Sequence, residues 1–196
     1  MKIVSWDCNG KFREKFKYIL ETNADIYIIQ EGENSEFYNN TEYKDFAINY
    51  IWQGENKNKG LGIFAKENIS LNKNNWNSYC LKNFIYANIN NNYSNKKIIM
   101  GDFNSNKIWD NKHNKRDHTN VVNELKEKNL ISAYHYIFNE EQGNEKQNTF
   151  YLYRHLDKCY HIDHCFIAKE RIKEYKILFD EKWLEYSDHI PIILEI

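Results

Sequence analysis

With 196 residues and a net charge of −1, from 27 basic and 28 acidic side chains, the chain has the length of one domain. It lacks the overall basic excess of a protein that coats nucleic acid. No apolar run approaches the ~20 residues of a membrane helix, and the start, MKIVSWDCNG, holds no secretory h-region. Cys8, Cys80, Cys159 and Cys165 are too sparse for a disulfide framework. The expectation is therefore a cytoplasmic, monomeric single domain over 1–196 with no membrane contact.

Residues 2–6, KIVSW, read as a buried strand that Asp7, Cys8, Asn9 and Gly10 leave. From Lys11 the period becomes helical, with Phe12, Phe16, Ile19 and Leu20 on one face, until Asn23-Ala24-Asp25 stops it. IYIIQ, 26–30, is a second apolar strand ending in Glu31. Strand, helix and strand in this order suggest a βαβ unit, which sets Asp7, Asn9 and Glu31 at strand carboxyl ends, where α/β sheets place ligands. A strand over 43–52, a polar Lys-rich turn and a returning strand over 60–66 predict an antiparallel hairpin, and so a mixed sheet. Residues 67–83 read as loop and NFIYANI, 83–89, as a strand.

The stretch IIMGDFNSN, 98–106, is the most informative. Ile98, Ile99 and Met100 form a short buried strand and Gly101 breaks it. Asp102 and Asn104, two apart in extended backbone, then project together as a carboxylate and a carboxamide able to hold a water against phosphorus or a metal. The same residues also suit a plain tight turn. Further on, Asn120 is a candidate cap for a helix with Val121, Val122 and Leu125 on its apolar face. LISAYHYIF, 130–138, is ambiguous in period. A strand is expected over 161–168, HIDHCFIA, and SDH, 187–189, leads into the last strand, IPIILEI.

The polar residues at strand ends make one set: Asp7, Asn9, Glu31, Asp102, Asn104, Asp163, Asp188 and His189. Oxygen donors without a cysteine or multi-histidine cage suit a hard ion such as magnesium. A nearby histidine offers general acid catalysis or charge stabilisation. Each carboxylate alone could merely end a strand. A rival zinc site at Cys159, His161, His164 and Cys165 is disfavoured, because residues 161 and 164 would lie on opposite faces of a strand. His113 and His118, in a charged stretch, are expected to face solvent.

The ordered series SWDCNG, IIQEGE, GDFNSN, HIDHCFI and SDHIPI resembles the endonuclease/exonuclease/phosphatase superfamily, the DNase I-like and exonuclease III-like proteins. The resemblance implies an α/β fold: a four-layer α/β sandwich of two mixed β-sheets packed face to face with helices outside, here in a compact, shortened form. It implies a magnesium ion, or manganese, held by Glu31, Asp188, Asp7 and Asn9. It makes Asp102 the residue that orients or deprotonates the attacking water, with Asn104, Asn9 and His189 on the phosphate and Asp163 orienting His189. The implied activity is hydrolysis of nucleic acid, DNA or RNA, by in-line attack of water. The alternatives are a phosphomonoesterase on a small phosphate or lipid headgroup and a catalytically weakened binding relative. Two departures stand out. The family's Asn after the first-strand Trp is Asp7 here, and the segment before GDFN is short, leaving Tyr86, Asn88 or Asn90 as substitutes for a phosphate contact.

Overall fold

Buried strands that bracket an amphipathic helix give the N-terminal βαβ unit its form. Strand β1 (Lys2–Asp7) and strand β2 (Ile26–Gly32) pair in parallel, Ile3 opposite Ile26 and Asp7 opposite Gln30. Helix α1 (Phe12–Leu20) joins them and buries Phe12, Phe16 and Ile19, whereas Leu20, at its last position, is 36% exposed. This computed structural model describes residues 1–74, 86–89, 97–110 and 117–196. The chain divides into two compact units, Met1–Asn95 and Lys96–Ile196, taken in turn.

In the first unit the strand expected over 43–52 is two elements. Residues Thr41–Phe46 form a short helix, α2, capped by the Asn40 side chain, which accepts from the Tyr43 N–H at 3.0 Å. Helical spacing turns Tyr43 and Phe46 to one side. There they pack with Phe12, Phe16 and Phe64 at ring separations of 4.9–6.4 Å. Tyr43 is fully buried and its hydroxyl donates to the Glu33 carbonyl at 2.6 Å. Aromatic burial thus overrides the apolar look of the run. Strand β3 (Tyr50–Asn56) then hairpins onto β4 (Lys59–Ala65), and β4 runs antiparallel to β2. The order β1-β2-β4-β3 is a mixed sheet, as expected. A strand β5 (Leu71–Asn74), inside the stretch read as loop, pairs antiparallel with β6 (Tyr86–Ile89). The side chains of Tyr86 and Asn88, and Asn90 as a whole, fall outside what the structure describes.

The second unit starts at β7 (Ile98–Asp102). Gly101 does not end this strand: it sits within it at φ 149°, opposite His164, a backbone angle that glycine adopts most readily. Helix α3 (His118–Glu127) begins two residues ahead of Asn120, with Asp117 at its N-cap position. Leu125 is buried with Leu130 and Phe166, and Val121, Val122, Ile99 and Phe103 pack against them. The ambiguous run 130–138 splits into β8 (Ile131–Ser132) and helix α4 (Ala133–Phe138). Strands β9 (Phe150–Tyr151) and β10 (Cys159–Tyr160) form a two-strand ribbon. Strand β11 (Asp163–Ile167), which starts two residues later than expected, is central to the sheet β7-β11-β8 and buried throughout. Strands β12 (Glu174–Ile177) and β13 (Ile192–Glu195) pair antiparallel. Among the described residues no helix is long and apolar enough to cross a membrane.

Candidate active site

In the first unit, Asp7 ends β1 and is buried, its Oδ1 accepting from the Asn9 N–H at 2.9 Å. Asn9, Gly10 and Lys11 are all left-handed, at φ 51°, 71° and 53°, so the chain curls tightly out of the strand. Lys15 clips this curl by donating to the Cys8 carbonyl at 2.7 Å. The Cys8 N–H donates to the Gln30 carbonyl, which places Glu31 at the neighbouring strand end. Glu31 is left-handed as well, at φ 57°, where the β2–β4 register shifts between Ile29 and Gly32. Its carboxylate meets Lys59 Nζ at 2.6 Å. Burial, and then the Asp7 charge, push the Cys8 thiol well up against the opposing pull of Lys15, and the Glu31 charge adds to the rise. Cys8 is therefore a neutral thiol, and the donors at these strand ends are oxygens.

In the second unit, the Asp163 and His189 side chains meet, with Oδ2 accepting from Nδ1 at 2.8 Å and both residues buried. Asp163 stands directly opposite Asp102 in the β11–β7 register. Opposed residues of an antiparallel pair share a face, so the two carboxylates do. Asn104 reaches Asp102 for a reason other than the one expected. It is not extended but left-handed, at φ 49°, and its N–H donates to Asp102 Oδ1 at 2.7 Å while its amide donates to Oδ2. This is an Asx-type turn, and it brings the carboxylate and the carboxamide together. Asp188 is half-buried, and its carbonyl accepts from the Tyr151 N–H at 2.8 Å.

Three residues of this unit were given no role of their own by the sequence reading. Thr149, fully buried, accepts at Oγ1 from the Ile162 and Asp163 N–H groups at 3.1 and 2.9 Å, and its carbonyl accepts from Ile190 at 2.7 Å. It thereby ties the strand of Asp163 to the segment of His189. Phe150 bridges to His189 in the backbone and lays its ring 4.7 Å from the imidazole. The Ser187 hydroxyl accepts from the His189 N–H at 3.0 Å. The available signal was a Thr-Phe pair emerging from a polar loop, too short for any period.

Two histidine expectations are corrected. His118 is buried, not solvent-facing, because helix α3 starts on it and carries it inward. His161 and His164 do not diverge: Asp163 begins the strand, residue 161 lies outside it, and the rings sit 5.1 Å apart. Zinc still gains no cage here, since no three of Cys159, His161, His164 and Cys165 bring ligand atoms within 4.8 Å of one another. Burial also pushes the Cys165 thiol up.

Burial holds His118, His161 and His164 below the ordinary histidine range. In the unfolded chain these rings take up protons near pH 6.5. Above that pH neither state binds the proton and stability is flat. As pH falls below 6.5 the unfolded state binds protons that the native state refuses, so stability drops. Urea midpoints are expected to be level between pH 7 and 8 and to fall steadily from pH 6.5 to 5. A midpoint constant over that lower interval would contradict the buried, neutral assignment.

No protein-family model matches the sequence, and no curated protein matches it. Solved structures do. A 3′-5′ exonuclease, NExo, from Neisseria meningitidis aligns over 100% of this chain and 99% of its own, with TM-score 0.67 and 14% identity. A structure of the 3′ phosphatase NExo from Neisseria bound to product DNA hairpin gives the same figures. An AP endonuclease from Archaeoglobus fulgidus aligns over 99% and 98%, with TM-score 0.67 and 15% identity. An endonuclease/exonuclease/phosphatase family protein from Leptotrichia buccalis aligns over 100% and 99%, with TM-score 0.58 and 18% identity. Fold, strand-end motifs and whole-chain alignment agree: this chain has the mixed α/β, DNase I-like fold of the endonuclease/exonuclease/phosphatase superfamily.

Proposed function

We propose that the protein is a divalent-metal-dependent phosphoric ester hydrolase that cleaves nucleic acid. The observation that carries this reading is the buried Asp163–His189 hydrogen bond standing opposite the Asp102–Asn104 pair in the β11–β7 register. A carboxylate on one imidazole nitrogen fixes the tautomer and favours the protonated ring, which can meet negative charge growing on a phosphate. Asp102, aligned by the Asn104 N–H, presents a carboxylate for the attacking water, and the Asn104 carboxamide provides phosphate and water contacts. Asn9 is the further phosphate contact.

For the metal, the reading takes Glu31, Asp7 and Asn9 from the first unit and Asp188 from the second. The donor chemistry fits a hard ion: carboxylates and a carboxamide at adjacent strand ends, with a neutral thiol between them and a lysine ammonium already drawn to Glu31. When bound, magnesium or manganese supplies Lewis-acid charge neutralisation at the phosphoryl oxygens. That the aligned structures include nucleases and a 3′ phosphatase, one of them holding DNA, supports nucleic acid as substrate. The phosphatase among them also favours a phosphomonoester as the second reading.

The deciding assay incubates the protein with plasmid, abasic duplex, single-stranded RNA and a phosphomonoester, each with magnesium or EDTA. Metal-dependent cleavage of any polynucleotide supports the proposal. Turnover of the monoester alone selects the second reading. No turnover of any of them leaves the weakened binding relative.

Asp7 offers a narrower check. If its buried carboxylate serves the metal, Asp7→Asn weakens metal affinity roughly tenfold, as loss of one charged ligand would. If it is only a substituted family Asn, the same change restores an amide donor and raises kcat instead. Metal titration beside steady-state kinetics separates the two, and no change in either places Asp7 outside the chemistry.

A further inference from the structure

Beneath the loop of Asp102 and Asn104 runs a partly buried polar chain that the proposed chemistry does not use. Ser105 Oγ lies 2.9 Å from His118 Nδ1, and His118 Nε2 lies 3.0 Å from Gln142 Oε1. Gln142 Nε2 lies 3.1 Å from His135 Nδ1, and His135 Nε2 lies 2.9 Å from Glu145 Oε1. Burial pushes the Glu145 carboxyl up, but hydrogen bonds from His135, the Gly143 N–H and Asn106 outweigh it and hold the group well below the usual carboxylate range. Glu145 is therefore an ionised, acceptor-only terminus.

That terminus sets the direction of every link. His135 donates from Nε2, and its Nδ1 faces both the Gln142 NH₂ at 3.1 Å and the Ser132 hydroxyl at 2.7 Å; the NH₂ can only donate, so Nδ1 is bare and the hydroxyl donates to it as well. Gln142 then turns its carbonyl to His118, which donates from Nε2 and accepts the Ser105 hydroxyl proton at Nδ1. The other Glu145 oxygen accepts from Asn106 Nδ2 at 3.1 Å, and the same NH₂ donates to the His161 carbonyl at 2.8 Å. His164 Nε2 donates to the Ser105 carbonyl at 3.0 Å, and the Phe103 N–H donates to the Ile162 carbonyl at 2.9 Å. Residues 103, 105 and 106 are thus pinned from below, and Glu145 holds two of them, one directly and one through four relayed bonds.

We propose that Glu145 is a positioning residue for the Asp102–Asn106 loop, its acceptor-only carboxylate fixing the polarity of the His135–Gln142–His118 relay and with it the orientation of the Ser105 hydroxyl. The effect on turnover rests on the hydrolase reading above; the polarity does not. Chains of hydrogen bonds polarise one another in a low-dielectric interior, so a change of sign at one end is felt at the other. Glu145→Gln keeps the shape but puts a donor where an acceptor stood. An amide at that terminus permits the reversed chain, in which His135 and His118 carry their protons on Nδ1.

The test is a long-range ¹H–¹⁵N correlation of the histidine rings at pH 7.5 on the whole chain. In the wild type, His118 and His135 are expected as Nε2–H tautomers. In Glu145→Gln at least one is expected to move toward Nδ1–H, with shifted backbone amides at Phe103–Asn106. With a polynucleotide substrate, kcat is expected to fall about tenfold with KM within about twofold. Ser105→Ala, which truncates the far end, is expected to lower kcat comparably while leaving the His135 tautomer unchanged. A wild-type spectrum showing either ring as Nδ1–H or imidazolium overturns the relay whatever the variants do. Switched tautomers with unmoved loop amides and unmoved kcat overturn the positioning role. A wild type that hydrolyses nothing sinks the hydrolase reading alone, because the tautomers and loop amides are read without substrate.

Discussion

Replacing His189 by alanine is expected to lower kcat/KM on a polynucleotide by about 10²–10⁴-fold, the span for a positioned acid or charge stabiliser. Asp163→Asn is expected to cost less, since the imidazole remains but loses the acceptor that holds its Nδ1–H. The two side chains share one buried hydrogen bond, so they should act as a unit, and the double variant should be little slower than His189→Ala. Stability should show coupling in the same sense, carried further. His189→Ala leaves the Asp163 carboxylate buried without its partner, a loss of roughly 3 kcal/mol or more. Adding Asp163→Asn removes that charge, so the double variant should melt above His189→Ala. A double-mutant cycle on kcat/KM at saturating magnesium, with melting curves on the same four proteins, checks both. Fully multiplicative rate losses with additive melting shifts would show that Asp163 and His189 do not work together.

Glu31→Gln is expected to abolish most metal-dependent turnover while the fold persists. The side chain is partly exposed and its ion pair with Lys59 is of the kind worth about 0–1 kcal/mol, so little stability is at stake. What goes is the negative charge that would hold a divalent ion. Calorimetric titration should show magnesium affinity falling by at least about tenfold. Lys59→Ala should move affinity the other way, because the ammonium that competes for the carboxylate is gone. Unchanged affinity in Glu31→Gln would remove Glu31 from the metal side. Turnover that falls while affinity holds would reassign it to the phosphate.

The strand ends were legible because buried strands are short apolar runs and the polar residues closing them stand out. HIDH and SDH could be marked in this way, and so could the hairpin around 57–58. Backbone sign was not legible. Asp102 and Asn104 converge through a left-handed turn at Asn104, whereas the two-residue alternation of extended chain gave the same proximity for the wrong reason. Thr149 was invisible because its work is done on N–H groups 13 and 14 residues away, where no local period reports it. His118 was misplaced because its charged neighbours in sequence suggested solvent, while the helix it opens turns it inward. Tyr43 looked like strand because a six-residue helix is too short to display its period against an apolar background.

Glu31 adds one more consequence. A residue with a Cβ held at φ 57° costs on the order of 1–2 kcal/mol, while glycine at that angle sacrifices roughly 0.5–1 kcal/mol of chain entropy instead. Asn9 and Asn104 share the left-handed conformation, but asparagine tolerates it far better. Glu31 is therefore where thermal resistance and the proposed chemistry pull in opposite directions. A library ranked by heat survival or soluble yield would drift toward glycine there and enrich well-folded, silent variants. Anyone evolving this scaffold for robustness should hold position 31 fixed or score turnover in the same round.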